Sequence, residues 1–220
     1  MSLTVEGLCK AYGEKRVLED FSLVLPERGV ATFFGPSGCG KTTLLHLLAG
    51  LLTPERGQIM GREGHIVSMV FQEDRLLPWC TVEENLCLVN PNLSRSEVRE
   101  RLERVGLEGA GGQYPEELSG GMRRRAAFAR ALAYGGDVLL LDEPFKGQDR
   151  TVKERLFAET AAFAQRGLVL LITHDPEEAA LLSWQVYLFS GPPLTLERRL
   201  DWGEPLERRE DLASLQSQLG

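Results

Sequence analysis

The chain has 220 residues, 43% of them hydrophobic, and a formal net charge of −7. That length predicts one compact domain with room for a subdomain, and the apolar content is ample for a buried core. The acidic balance argues against a nucleic-acid binder, no apolar run approaches the ~20 residues needed to span a bilayer, and the N-terminus lacks the basic start and apolar stretch of a secretory signal. The expectation is a cytosolic protein. Cys9, Cys39, Cys80 and Cys87 show no tight metal spacing and read as reduced thiols.

Apolar runs over residues 3–9, 21–25 and 30–34 predict three early strands. A helix is expected over 41–49, ending near Gly50, and Thr53-Pro54-Glu55-Arg56-Gly57 reads as a turn cluster. A short buried strand is expected over 66–71. Thr81-Val82-Glu83-Glu84 and Ser94-Arg95-Ser96-Glu97 each have the form of a capping box opening a helix, the second ending at Gly106. Residues 109–112 form a Gly-rich linker, and 121–134 a helix closed by Gly135-Gly136. The continuous apolar run 138–141 predicts a strand covered on both faces. A helix over 150–165, a buried strand over 168–172 and a helix capped by Asp175 with Pro176 at its first position complete the pattern. Residues 205–219 read as one amphipathic helix.

Chemistry concentrates at strand ends. Gly35-Pro36-Ser37-Gly38-Cys39-Gly40-Lys41-Thr42, followed by Thr43, is a Walker A loop. Its glycines let backbone N–H groups curl around a phosphate, and the next helix points its positive end at the anion. Lys41 can reach the β and γ phosphates, and Thr42 can place its hydroxyl on Mg²⁺. Cys39 within the loop is an expected oxidation target without a catalytic role.

Asp142 and Glu143 end the 138–141 strand, where ligands bind in an open α/β sheet. Asp142 suits Mg²⁺, and Glu143 suits orienting or deprotonating an attacking water. Gln72, ending another strand, can touch the metal or the water. His174 can contact the γ-phosphate or the water. Tyr12, placed in an N-terminal loop before Gly13, can stack on adenine.

Leu118-Ser119-Gly120-Gly121-Met122 opens a helix with a hydroxyl and unhindered amides, a second anion site. One nucleotide cannot easily use both sites of one chain. A head-to-tail two-fold dimer, in which each copy lends its second site to the other's ATP, resolves this. Arg123, Arg124 and Arg125 read as solvated or paired with carboxylates.

In this order the motifs resemble those of an ABC transporter ATPase over nearly the whole chain: aromatic A-loop Tyr12, Walker A, Q-loop Gln72, the signature at Ser119–Met122, Walker B, a D-loop ending at Asp149, and H-loop His174. The resemblance implies an α/β P-loop NTPase core. It carries an N-terminal antiparallel β subdomain and an inserted helical subdomain, with 1–74 and 135–220 as core and 75–134 as insert. Phe71-Gln72-Glu73-Asp74-Arg75-Leu76-Leu77-Pro78-Trp79 and Met122 are similar to the nitrate, sulfonate and taurine importer ATPases, a group that also handles thiamine precursors. That likeness implies Mg-ATP hydrolysis by a homodimer on the inner face of the cell membrane. The dimer would dock an integral-membrane permease around residues 75–79 and serve a substrate-binding protein indirectly.

Three features depart from the family pattern. Lys146-Gly147-Gln148-Asp149 stands where a small residue, Ala, Leu and Asp are usual, Arg124 replaces a frequent Gln, and the loop over 58–65 is short. The alternatives are a non-transport ATPase of the same family acting on DNA or the ribosome, and a non-hydrolysing regulatory subunit.

Overall fold

The computed structural model describes residues 3–205 and 212–219. Strands β1 (Thr4–Tyr12) and β2 (Lys15–Val24) form an antiparallel hairpin that runs from Thr4↔Val24 to Tyr12↔Lys15. Tyr12 is therefore the last residue of a strand, not a loop residue as expected. Strand β3 (Gly29–Phe34) leads into helix α1 (Lys41–Leu48). Strand β4 (Arg56–Met60) then pairs with the free edge of β1, completing a three-stranded sheet in the order β2-β1-β4. The expected turn cluster overlaps the start of β4. That strand is almost wholly exposed, so it carries no apolar alternation for the sequence to show.

The main sheet adds β5 (Val67–Val70), β6 (Val138–Asp142), β7 (Leu168–Ile172), β8 (Gln185–Ser190) and β9 (Thr195–Asp201). Its order is β5-β6-β7-β3-β8-β9, parallel except for the antiparallel pair β8 and β9. β8 and β9 were not expected.

Between β5 and β6 the elements are helical: α2 (Val82–Val89), α3 (Arg95–Arg104), a short 3-10 turn at Pro115–Glu117, and α4 (Gly120–Tyr134). Both expected capping boxes form. Thr81 accepts from the Glu84 amide and Ser94 from the Glu97 amide, while each glutamate accepts from the cap's own N–H. Helix α5 (Arg150–Ala164) is capped by Asp149 and α6 (Pro176–Leu182) by Asp175. Helix α7 (Leu212–Ser217) covers part of the expected C-terminal helix. Residues 206–211 of that segment lie outside the described residues.

Side chains of β6 and β7 alternate between two cores. Leu139, Leu141, Val169 and Leu171 pack with α2–α5, through Leu86, Phe128, Phe145 and Phe163 among others. Val138, Leu140, Leu168 and Leu170 join α1 and the small sheet, where Leu8, Phe21, Phe33 and Leu45 are buried. This period of two explains why those strands are apolar throughout. Because β5, β6, β7 and β3 run parallel, their carboxyl ends share one edge, and every strand-end motif emerges there.

Candidate nucleotide site

At that edge lies a cavity of about 360 Å³. Its lining includes Tyr12, Ser37, Gly38, Gly40, Lys41, Thr42, Thr43, Gln72, Asp142 and Glu143. Residues drawn from β1, the Walker A loop and the ends of β5 and β6 thus meet in one place. Lys15 and Val17 also line it and were missed from the sequence. The hairpin register, which sets Lys15 opposite Tyr12, is what places them.

Helix α1 begins without a side-chain cap. Its N-cap is Gly40, so the orphan amides of the first turn keep their capacity for an anion. Lys41 is nearly buried, and its ammonium donates to the Gly35 and Pro36 carbonyls at 2.8 Å each. Those two residues therefore shape the loop without lining the cavity. Cys39 is fully buried and within 3.6 Å of the Lys41 ammonium. Burial contradicts the expected oxidation target, because oxidation needs an accessible thiolate.

Thr42 Oγ1 donates to Asp142 Oδ2 at 2.9 Å. Burial pushes the Asp142 carboxyl up, the Thr42 hydroxyl only partly holds it down, and the neighbouring Glu143 adds to the rise. A hydroxyl and a carboxylate side by side at the phosphate loop are hard oxygen donors that suit Mg²⁺, which takes its remaining ligands from phosphate and water.

Glu143 has φ +48°, in the left-handed region, a conformation costing about 1–3 kcal/mol for a non-glycine residue. Its amide donates to the Ile172 carbonyl at 3.0 Å. Its Oε1 lies 3.1 Å from His174 Nδ1, and its Oε2 accepts from Lys146 Nζ at 3.0 Å. Burial alone would raise this carboxyl, but the bonds from Lys146 and His174 outweigh it and hold the group below its ordinary range. The carboxylate is thus ionised at neutral pH, as a proton acceptor must be.

His174 sits on the loop after β7. Next to it, Lys153 binds Asp175 Oδ2 at 3.1 Å and the buried Glu178 Oε1 at 2.6 Å, and Thr173 donates to Glu178 Oε2 at 2.5 Å. These bonds fix the segment that carries the histidine.

The structure keeps the signature residues apart from this cavity. Ser119, Gly120, Gly121 and Met122 do not line it; Ser119 caps α4 by accepting from the Met122 amide at 3.2 Å. Asp149 likewise caps α5. Of the three arginines, Arg123 pairs with Asp74 as expected, whereas Arg124 and Arg125 serve mainly backbone carbonyls.

The family model for the ABC transporter matches residues 18–146. An aliphatic sulfonates import ATP-binding protein, SsuB 1 of Pseudomonas aeruginosa, is 44% identical over 92% of this chain and 86% of its own. A taurine import ATP-binding protein, TauB of Shigella flexneri, is 40% identical over 98% of this chain and 91% of its own. Among solved structures, a dimeric post-hydrolysis state of the ATP-binding cassette MJ0796 bound to ADP and Pi superposes with TM-score 0.79 at 25% identity. It covers 90% of this chain and 98% of that one.

Proposed function

The chain belongs to the ABC transporter family, and from that premise we propose that it is the ATP-binding subunit of an importer for sulfonates or taurine. Two import ATP-binding proteins, each matched over most of both chains, support the transported class. The observation that carries hydrolysis is Glu143, an ionised carboxylate at the mouth of the cavity that holds Lys41, Thr42 and Asp142.

In this reading Lys41 and the α1 amides hold the phosphates, and Tyr12 supports the base. A magnesium ion held by Thr42 and Asp142 would neutralise phosphate charge. Glu143 accepts the proton of the attacking water while His174 steadies the water or the γ-phosphate. The bond from the γ-phosphorus to its bridging oxygen breaks, giving ADP and phosphate. Positioned bases of this kind typically contribute ~10²–10⁴-fold.

Ser119, Gly120, Gly121 and Met122 do not line the nucleotide cavity of their own chain. Dimerisation would bring them to the ATP of a second copy, with Asp149 near the seam. No helix among the described residues is long and apolar enough to cross a membrane. Attachment to the inner face of the membrane would run through the permease, around Arg75 to the exposed Trp79.

The test is the Glu143→Gln variant. Phosphate release should fall at least ~100-fold, while Mg-ATP still binds and shifts the chain from monomer to dimer on sizing. Normal turnover would remove Glu143 from the reaction. Uptake of labelled taurine or an alkanesulfonate by cells expressing wild type or Glu143→Gln decides the transported class.

A further inference from the structure

The carboxylate of Glu143 is held from outside the nucleotide cavity by a chain of contacts that begins on α4. The guanidinium of Arg124 bridges two loops. Its Nη1 donates to the Lys146 carbonyl at 2.7 Å and its Nη2 to the Gln72 carbonyl at 3.1 Å. The Lys146 side chain then reaches back three residues to Glu143 Oε2 at 3.0 Å. The loop that carries Lys146 has a second tie to the same helix, because Gln148 Nε2 donates to the Gly121 carbonyl at 3.2 Å.

We propose that Lys146 and Arg124 are positioning residues for hydrolysis: Arg124 sets the loop of Lys146 against that of Gln72, and Lys146 fixes one oxygen of Glu143. The inference rests on the hydrolase reading above. Three observations support it. Glu143 lies in the left-handed backbone region, a strained conformation that persists only where surrounding contacts fix it. Each carboxylate oxygen has a different partner, Lys146 on Oε2 and His174 on Oε1. When the histidine turns to substrate, Oε1 is released toward water while Oε2 stays tethered. Finally, Arg124 Nε is buried without a hydrogen bond, 4.0 Å from Asp74 Oδ1. A small shift of α4 against the Gln72 segment would complete that bond and, through the Lys146 carbonyl, carry the loop of Lys146 with it. Arg124 reaches the two carbonyls with separate nitrogens of one planar fork, which fixes the distance between the two loops.

The other charged groups around Glu143 have separate duties. Asp142 is bound by Thr42, and Lys41 is turned onto its own loop. Neither can replace Lys146 on Oε2.

The experiment is steady-state phosphate release by the purified full chain with Mg-ATP, alongside ATP affinity. Lys146→Met should lower kcat about tenfold, the scale of a lost orientation, with KM for ATP unchanged. Lys146→Arg should restore kcat to within about threefold, which a purely structural loop residue would not do. Arg124→Met should slow the wild type by a similar factor but add nothing to Lys146→Met, since both act through one contact. In the Glu143→Gln background, Lys146→Met should likewise change nothing. Lys146 is more than half exposed, so its variants should fold; Lys146→Gln, which retains a donor, is the substitute if Met does not. An active wild type that Lys146→Met leaves unslowed, or slows through KM alone, overturns the inference and leaves the hydrolase reading intact. A wild type that binds Mg-ATP and releases no phosphate overturns both.

Discussion

Thr42 and Asp142, 100 residues apart in sequence, are joined by a 2.9 Å hydrogen bond from hydroxyl to carboxylate. The pair ties the start of α1 to the end of β6, so it links the phosphate loop to the strand that presents Glu143. Burial makes the Asp142 carboxylate hard to keep ionised without a nearby cation. A divalent ion arriving with ATP would supply that charge. Asp142→Asn should therefore abolish the tightening of ATP binding by Mg²⁺ and lower hydrolysis by about 10²–10³-fold. Calorimetric titration of ATP with and without Mg²⁺ checks this; an unchanged magnesium dependence would remove Asp142 from the metal site.

The Lys153 cluster yields a pH dependence. Burial opposes ionisation of Asp175, but the bond and charge of Lys153 together with the amides of Glu177 and Glu178 outweigh it and hold the carboxyl below its ordinary value. Linkage sets the sign. A depressed carboxyl contributes stability that is fully present above its unfolded value, about 3.9, and is lost as pH falls through the lower folded value. Asn is as good an N-cap as Asp, so Asp175→Asn keeps the α6 cap and removes only the charge. Its melting temperature should lie below wild type at pH 7, and the gap should close toward pH 3. A gap independent of pH would mean that the ion pair is not what stabilises this segment.

The motifs that determine local chemistry were legible because their spacing is short-range. Gly35 to Thr42 needs only a strand before it and a helix after it, and the capping boxes at Thr81 and Ser94 are complete within four residues. Buried strands were legible where both faces are covered, as in β6 and β7. What could not be read depends on distant partners. β4 is exposed and exists because it pairs with β1. β9 is a polar edge strand paired with β8. Lys15 enters the site only through the hairpin register. Lys146 was legible as a departure from the family pattern, but nothing in the sequence indicates that its ammonium turns back onto Glu143 while Arg124 holds its carbonyl.

Phe145 connects that loop to the core. Its ring is fully buried, edge-on to Phe157 of α5 at 4.8 Å between centroids and tilted against Phe128 of α4 at 6.5 Å. Phe145→Ala should cost about 3–5 kcal/mol, the range for a truncated core aromatic. Because Lys146 is the next residue, the loosened anchor should also lower kcat more than it raises KM. Urea unfolding and phosphate release on the same sample test the two parts. A loss of stability below about 1 kcal/mol would show that the core refills the space.

Gly35 and Gly38 separate two reasons for glycine in one loop. Gly38 has φ +79°, and a Cβ there would meet nothing within 4 Å. Gly38→Ala should lose only the backbone preference, about 1–2 kcal/mol. Gly35 has φ +150°, and its Cβ would stand 2.2 Å from the Phe189 carbonyl oxygen in β8. That carbonyl cannot retreat easily, because the Phe189 ring is packed against Phe21 and Phe33. Gly35→Ala should therefore add a packing penalty of about 1–3 kcal/mol to the backbone cost. The displaced Gly35 carbonyl would also lose its bond from Lys41, so ATP binding should weaken together with stability. Thermal melts and ATP titration of the two variants form the comparison. Equal losses at both positions would mean that the contact with Phe189 does not constrain the phosphate loop.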